Sequence, residues 1–383
     1  MITSFDDYMI HQTAEAVIIP SQSDRNFYER HWMSGFENTG DIFFEIGFGL
    51  YPNRHVMDGH FSVVIGNKQY AFHASRRAPD DRIDTTVGPL SVTIEEPMRS
   101  LRFLVEDNEH KISCDLRFTA ISIAHQEPHN TRYEGVHLIM YNTRFTQAGH
   151  WNGTITIDGE RHHIDNATAI RDKSWGVRPV GEPVGGAPGL MNGEPGVYWN
   201  WSPVMFGDQW LHFATFQDPD GNPTQESCEL VPLYDDPSNI PAGDDAGIIH
   251  MISMSHYLTW NKGTRLSSGS TVNCSDKEGN HYEAKLTPFG KPFYMLGIGY
   301  NHPKWGHAVW QGELAMDRED FDLNAIDPLA YEHIHTHQRV TATLEKTTVD
   351  GTKESKSGYG VLETIVIGRH DPSGFKEFFD GAE

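Results

Sequence analysis

Cysteine is scarce in this chain, since only Cys114, Cys228 and Cys274 occur among its 383 residues. The three lie far apart and form no CxxC pair, so neither a disulfide framework nor a zinc ribbon is predicted. Cysteine therefore offers little chemistry on which a function could rest.

Basic charge and long apolar runs are lacking too. The chain carries 30 Lys and Arg against 53 Asp and Glu, for a formal net charge of −23. Nucleic acid and anionic membrane surfaces both need a basic face, so neither is expected as a partner. No stretch approaches the roughly 18 to 20 apolar residues of a membrane span, and residues 1–25 show no secretory signal. We expect a cytoplasmic protein without membrane insertion.

The motifs of nucleotide binding and of serine hydrolysis are missing from the sequence. No Gly-x-Gly-x-x-Gly leads from a strand into a helix, and no Walker A sequence occurs. There is no Gly-x-Ser-x-Gly elbow either. We therefore expect no cofactor.

The chain is rich in period-two alternation of apolar and polar residues, the pattern of half-buried strands. The alternation is clear in 112–118, 154–158 and 340–345, and turn signals lie between such segments. Short helices are predicted only near 23–32 and 317–331. Many short strands with regular turns are typical of sandwiches and barrels, so the predicted class is mainly β.

The length of the chain favours two domains. Strands fall into two series, roughly 40–165 and 196–367, and a stretch rich in glycine and proline at 180–189 lies between them. A second irregular segment at 234–245 interrupts the latter series. Long irregular loops are often functional lids, although either segment could be an ordinary surface connection.

Ionisable and aromatic residues concentrate at the centre of the chain, as RDKSWG at 171–176, YWNW at 198–201 and WLH at 210–212. A pocket that binds an apolar molecule and moves a proton on it needs both residue types. Because neighbouring residues of a strand point to opposite faces, Arg171 and Asp172 need not meet.

Asp172 is the first candidate for proton transfer. A carboxyl group among indole rings loses hydration, which raises its pKa and makes it a general acid. Positive charge formed on the substrate would be stabilised by the face of a tryptophan, namely Trp175, Trp199, Trp201 or Trp210. If Arg171 pairs with Asp172 instead, the carboxylate stays ionised and becomes a base or an orienting group.

His212 is the second candidate, as acid, base or hydrogen-bond donor. On a strand over 209–216 it shares with Trp210 a face that is otherwise aromatic. Tyr198, Trp201 and Trp210 would shape the pocket around it. For each residue taken singly, a role in the core or the scaffold is the alternative.

Two histidine-rich segments lie outside this centre. His333, His335 and His337 alternate, and on a strand they would present nitrogen ligands to zinc or iron. Nothing in the sequence identifies a further ligand, and the solvated face of an edge strand is the alternative. Trp305 and His307 could line the same cavity as the central residues, or form a turn that packs against a barrel end.

The 171–176 motif, with YWNWS downstream at 198–202, resembles the carotenoid 1,2-hydratase-like superfamily, which includes AttH-type proteins and lipocalin-like Diels–Alderases. The resemblance implies two tandem lipocalin-like (calycin-type) antiparallel β-barrels with few short helices. The predicted domains are then 1–165 and 166–383, the second carrying the motif. The hydratases typically have Asp-His-Asn-Trp-Gly, of which Asp172 and Trp175 are present.

Lys173 and Ser174 stand where those hydratases have histidine and asparagine. Carotenoid hydration itself is therefore not predicted, and the resemblance implies cofactor-free chemistry on an apolar substrate. Lys173 adds one option, because a desolvated lysine could act as a base or a Schiff-base nucleophile.

Together these observations predict a cofactor-independent lyase or isomerase for an apolar or aromatic small molecule, such as a terpenoid, steroid, polyketide or lignin-derived aromatic. Asp172 would donate or accept the proton, His212 would assist, and Arg171 would orient a polar group. Two alternatives stay open: a non-catalytic binding protein for a hydrophobic ligand, and a metal enzyme built on the histidine stripe. The oligomeric state is open, with a homodimer as one option.

Overall fold

The computed structural model describes residues 7–9, 14, 16, 18–180 and 196–383, so all but Val180 of the connection at 180–189 lies outside the described residues. The regular structure is almost entirely antiparallel strand. The strands are β1 (Phe27–Phe36), β2 (Phe43–Tyr51), β3 (Val56–Ile65), β4 (Lys68–Arg77), β5 (Thr86–Val87), β6 (Leu90–Glu96), β7 (Ser100–Val105), β8 (Ile112–Ala120), β9 (His125–Gln126), β10 (Asn130–Glu134), β11 (His137–Ile157), β12 (Glu160–Val177), β13 (Val197–Trp201), β14 (Val204–Met205), β15 (Gln209–Gln217), β16 (Pro223–Pro232), β17 (Ile249–Trp260), β18 (Ser267–Asp276), β19 (His281–Pro288), β20 (Phe293–Tyr294), β21 (Leu314–Asp322), β22 (His335–Thr347) and β23 (Lys353–Ile367).

The helical segments outside these strands are short 3-10 helices, at Pro52–Arg54, Pro237–Asn239, Met295–Ile298, Tyr331–His333 and Asp371–Ser373. Within the described ranges, no helix is long and apolar enough to cross a membrane.

The first sheet runs in the order β21-β4-β3-β2-β1-β12-β11-β8-β7-β6-β5 and forms a nearly closed antiparallel barrel. Its interior follows from the alternation along the strands. On β8, for example, Ile112, Cys114, Leu116 and Phe118 are buried, whereas Asp115 between them is exposed. The alternation read from the sequence thus places one side of each such strand in the core.

The second sheet closes on itself into an eight-stranded barrel, because β13 pairs with both β15 and β23, and β22 pairs with β19 and β23. Its apolar interior includes Tyr198, Leu211, Phe213 and Leu230. The predicted class, mainly β with two lipocalin-like antiparallel barrels and few short helices, is confirmed.

The chain divides into two compact units that interleave along the sequence. The first unit contains 1–192, 235–244 and 297–322, and the second contains 193–234, 245–296 and 323–383. The boundary expected at residue 165 falls inside β12, whose hydrogen-bonded pairing with β1 and β11 holds the whole strand, and the 171–176 motif with it, in the first unit.

The two helices predicted from the sequence are wrong. Residues 27–36 form β1, in which every residue is buried. Its charged residues therefore mark buried ion pairs, and not the polar face of a helix. Residues 314–322 form β21, which pairs with β4, so their closely spaced charges lie on an edge strand of the first sheet.

Candidate functional site

In the first unit, the 171–176 motif lies on β12 with its side chains on alternate faces. Arg171 packs on the buried core side, with its guanidinium 5.1 Å from the ring centroid of Phe118 and 5.3 Å from that of Phe145. Lys173 follows on the same side, whereas Asp172 points the other way. The expectation that Arg171 and Asp172 need not meet holds in the structure.

Arg171 is held by a carboxylate far away in the sequence. Its Nη1 donates to Oδ1 of Asp7 at 2.8 Å and its Nη2 to Oδ2 at 3.1 Å, while Nε donates to Gln147 Oε1 at 2.9 Å. Burial raises the pKa of Asp7, but Arg171 more than offsets this and brings it to about 2. Such a bidentate pair fixes the segment around Asp7 against the barrel.

Lys173 is held in the same way, since its Nζ donates to Glu29 Oε2 at 3.1 Å and to the carbonyl oxygen of Tyr8 at 2.8 Å. The ammonium also lies 5.0 Å from the ring centroid of Trp175. The two cations of the motif thus serve a buried network of ion pairs, and a catalytic role for Lys173 stays a prediction.

A cavity of about 320 Å³ adjoins this network inside the first unit. His31 lies in its wall and is 2 % exposed. Burial, followed by the charge of Lys173, lowers the pKa of His31 to about 3, so the imidazole is neutral at pH 7. The lining residues are Asp7, Tyr8, Met9, His31, Phe48, Arg82, Ile83, Thr85, Val92, Thr93 and Ile94.

Asp172 lies on the opposite face of β12. Its Oδ2 is 3.7 Å from Nη1 of Arg144, whose Nε is 3.1 Å from Glu127 Oε2. The side chain of Asp172 is 13 % exposed. Arg144, and not Arg171, is therefore the guanidinium that can orient this carboxylate.

Trp305 and His307 belong to the first unit as well, where they pack against a buried polar cluster. The Trp305 ring stacks on His73 with centroids 5.6 Å apart, and His307 Nε2 donates to the Ile298 carbonyl oxygen at 3.0 Å. Arg178 Nη2 then donates to His307 Nδ1 at 3.3 Å. Both side chains thus make contacts typical of structural residues, and their contact with substrate stays a prediction.

In the second unit, β15 spans Gln209–Gln217 and presents the face predicted from the sequence. Leu211 and Phe213 belong to the apolar interior, so Trp210 and His212 lie on the outer side of the barrel. This face is nevertheless buried, with His212 at 0 % exposure. Buried outer faces with titratable groups are candidates for chemistry, because low polarity strengthens their interactions.

His212 has a defined tautomer. An indole N–H can only donate, so the 3.3 Å contact from Trp201 Nε1 makes His212 Nε2 the acceptor. The proton therefore sits on Nδ1, which is 3.0 Å from Oε2 of Glu229. Glu229 pairs with His212 in register on β16.

A second histidine–carboxylate group lies on the same outer side. His335 Nε2 is 2.6 Å from Glu363 Oε1, and His337 Nε2 is 3.2 Å from the same oxygen. Burial raises the pKa of Glu363, but the two imidazoles hold it well below its usual range. Glu363 is also the register partner of Trp201.

The predicted three-histidine stripe is wrong in one member. His333 ends the 3-10 helix Tyr331–His333, ahead of β22, and its Nδ1 donates to the Asp327 carbonyl oxygen at 2.9 Å. His335 and His337 do share a face of β22, and the third group is Glu363 on the neighbouring strand. Two histidines and a carboxylate are a ligand set that suits iron or zinc.

The geometry of this trio is close to that of a metal site. Ligand atoms about 2.1 Å from a metal and at right angles to one another are about 3 Å apart, and the two nitrogen–oxygen distances are 2.6 and 3.2 Å. The trio His73, His302 and Glu319 in the first unit offers the same types of ligand. His302 Nδ1 accepts the backbone N–H of Trp305 at 2.9 Å, so its Nε2 carries the proton that a metal would have to replace.

We expect protein purified without chelator to carry less than about 0.1 equivalent of zinc or iron, because His335 Nε2 already donates to Glu363 Oε1 and a metal would have to replace that proton. Elemental analysis measures this directly. A stoichiometric metal that is lost in His335→Ala but kept in His333→Ala would contradict this expectation. It would show that His335, His337 and Glu363 form a metal site.

Tyr198 does not join Trp201, contrary to the expectation that both line one pocket. The two lie on opposite faces of β13, and Tyr198 belongs to the interior. Its hydroxyl is 2.6 Å from His256 Nε2, and its ring stacks on His370 at 3.9 Å, in a pocket of about 330 Å³. Burial lowers the pKa of both histidines to about 4.

The partners of the predicted residues were missed by sequence reasoning, although a signal existed for two of them. Glu229 and Glu363 each stand as a lone carboxylate within an apolar run, at 228–231 and 361–366. A charge in such a run is rare unless it is paired. Asp7 carried no comparable signal.

Comparison with known proteins gives a family and a set of similar structures. A family model described as a family of unknown function (DUF8625) matches residues 2–376. No curated protein matches the chain. Kievitone hydratase from Nectria haematococca is 12% identical, with a TM-score of 0.43 over 88% of this chain and 88% of that chain. CghA is 11% identical, with a TM-score of 0.45 over 94% of this chain and 90% of that chain.

Proposed function

The chain belongs to DUF8625, a family of unknown function, and we propose that it is a lyase or isomerase that moves a proton on an apolar or aromatic small molecule without a cofactor. The observation that carries this proposal is His212, fully buried, with Nδ1 directed at Glu229 and Nε2 left as the basic atom.

His212 is proposed as the general base. The carboxylate of Glu229, 3.0 Å from Nδ1, fixes the tautomer and stabilises the imidazolium that forms when Nε2 takes a proton. The contact that now occupies Nε2 is the 3.3 Å bond from Trp201, which is long for an N–H donor. The proposal requires the substrate to displace this contact.

The group formed by His335, His337 and Glu363 is proposed as the proton donor. Elimination needs a base and an acid at once, and Trp201 contacts His212 through its indole and pairs with Glu363 in register. In a dehydration, His212 removes a proton from carbon, the electron pair forms the double bond, and the carbon–oxygen bond breaks. The hydroxyl then leaves as water with the donated proton.

Aromatic residues on the same face support an apolar substrate. Trp210 lies edge-on to His212 with ring centroids 5.9 Å apart, and Trp199 packs on Phe216 at 4.2 Å. Indole faces stabilise positive charge that develops on carbon during such a reaction. Terpenoids, steroids, polyketides and lignin-derived aromatics with an allylic or tertiary hydroxyl are the proposed substrate class.

The proposal is tested by incubating the protein in D₂O with a panel of such alcohols and the corresponding alkenes. We expect mass spectrometry to detect loss or gain of one water, with deuterium at the carbon that exchanges. Tight retention of a panel member that is recovered unchanged would favour the alternative of a non-catalytic binding protein.

Asp172 is the sequence-based candidate for the same proton transfer. We expect Asp172→Asn to keep the melting temperature of the wild type, and a loss of turnover of about 10²-fold or more, typical of an acid–base group, would assign the proton to Asp172 in place of the group formed by His335, His337 and Glu363. Arg144 keeps an uncharged partner at this position, so the fold should tolerate the change. Wild-type turnover in Asp172→Asn would remove this residue from the reaction.

A further inference from the structure

The cavity inside the first unit plays no part in the proposed reaction, yet it has the features of a ligand site. Its volume is about 320 Å³, and Met9, Phe48, Val92 and Ile94 supply apolar wall. Apolar cavities of about 150 Å³ already bind a single aromatic ring. A molecule with two fused rings is therefore within its capacity.

His31 is a buried polar group in this wall. It is 2 % exposed, lies on β1, and its Nδ1 has no hydrogen-bond partner among the described residues. A buried polar atom left without a partner destabilises the fold, because it has lost its hydrogen bonds to water. A ligand with a hydroxyl group would supply the missing hydrogen bond.

The charges around the cavity are balanced. Arg171 is paired with Asp7, and Lys173 with Glu29. Arg82, the third cation, donates to the Ile18 carbonyl oxygen at 3.1 Å; burial lowers its pKa, and the charges of Glu29 and Asp80 offset part of this. No excess charge of either sign is left to favour an ionised ligand.

The cavity opens where apolar side chains are exposed. Ile83 belongs to the lining and is also 79 % exposed, and Arg82 joins this loop to Ile18, which is 46 % exposed. Ile19 beside it is 50 % exposed. Apolar side chains at a cavity mouth lower the cost of entry for a ligand that is itself apolar.

We propose that the first unit binds a neutral, mainly apolar molecule with a single hydroxyl group, which hydrogen-bonds His31 inside the barrel. This site is separate from the outer face of the second unit that carries His212, so binding here does not depend on the proposed reaction.

Isothermal titration calorimetry with 2-naphthol, naphthalene and 2-naphthoate tests the proposal on the full chain. We expect one molecule of 2-naphthol to bind per chain, with naphthalene and 2-naphthoate each about tenfold weaker, the size of one buried hydrogen bond. In His31→Phe the preference for 2-naphthol over naphthalene should shrink to within about twofold.

A filling variant locates the binding. Ile94 is only half-buried, so Ile94→Trp can fill the cavity without disturbing the core, and it should abolish binding of both 2-naphthol and naphthalene. Ile252→Trp, at a 70 % exposed position of the second unit, is the matched control and should bind as the wild type does. The proposal is overturned if wild type binds none of the probes, prefers 2-naphthoate, or binds 2-naphthol unchanged in Ile94→Trp.

Discussion

Replacing His212 by glutamine is expected to lower turnover by about 10²- to 10⁴-fold, the loss typical of a removed general base. Glutamine has no lone-pair nitrogen at the position of Nε2, so the proton on the substrate carbon has no acceptor. The measurement is the rate of water loss or gain on whichever panel member the wild type converts. Circular dichroism and the melting temperature establish that the variant is folded.

Glu229→Gln separates positioning from catalysis. The amide keeps a hydrogen-bond acceptor about where Glu229 Oε2 lies, 3.0 Å from His212 Nδ1, but removes the charge that stabilises the imidazolium. We expect a smaller loss of turnover than in His212→Gln and a shift of the acidic limb of the rate–pH profile to lower pH. Equal turnover in wild type and His212→Gln would rule out this base.

Around pH 5, the free energy of unfolding is expected to fall by about 3 kcal/mol for each pH unit of acidification. Two buried histidines alone account for this slope. Burial lowers the pKa of His31 and of His73 to about 3, against an ordinary value of 6.5. A group whose folded pKa is depressed contributes stability that is complete above 6.5 and is lost as the pH falls toward 3. Each histidine takes up one proton on unfolding within this window.

His256 and His370 also have lowered pKa values, of about 4, so they too destabilise the fold as the pH falls. The free energy of unfolding should therefore fall by at least about 3 kcal/mol per pH unit near pH 5. Between pH 6.5 and 4 each pair of histidines costs its own unit about 6 kcal/mol, so a domain at the lower end of the usual range of about 5–15 kcal/mol would unfold before pH 4. Urea unfolding at pH 7, 6 and 5 measures the slope. In His31→Gln the slope should fall by about 1.4 kcal/mol per pH unit, and an unchanged free energy of unfolding between pH 7 and 5 would contradict these pKa values.

The ion pair of Asp7 with Arg171 affects the stability of the fold in a lower pH range. Its folded pKa of about 2 lies below its ordinary value of 3.8, so the Arg171–Asp7 pair contributes stability that is complete above pH 4 and lost between pH 4 and 2. As the pH falls, the loss of stability from the histidines therefore precedes the loss from this ion pair.

The alternation of apolar and polar residues was sufficient to predict many of the strands. The alternation in 112–118, 154–158 and 340–345 corresponds to β8, β11 and β22, because each strand has one side in a core and one side outside it. It also placed Trp210 and His212 on a single face. The same reasoning failed at 27–36, since a strand buried on both faces carries no alternation.

The residue types at the candidate site were visible in the sequence, but their partners were not. Arg171 meets Asp7 across 164 positions, and Trp201 meets Glu363 across two strands that pair only when the barrel closes. Such pairings depend on register and closure, which no local pattern encodes. Tyr198 and Trp201 were both expected to shape the pocket, although the alternation along 198–201 already predicts opposite faces for them, and the structure places Tyr198 in the barrel interior.

By itself, the sequence determined that this protein is mainly β, that its centre combines ionisable and aromatic side chains, and that His212 lies on an aromatic strand face. These properties follow from periodicity and composition, which act over a few residues. Only the tertiary structure decided that Glu229 fixes the tautomer of His212, that Glu363 replaces His333 in the second group, and that His31 is buried beside a cavity. Each of these depends on strands far apart in the chain coming into register, so the physical cause lies in barrel closure and not in local propensity.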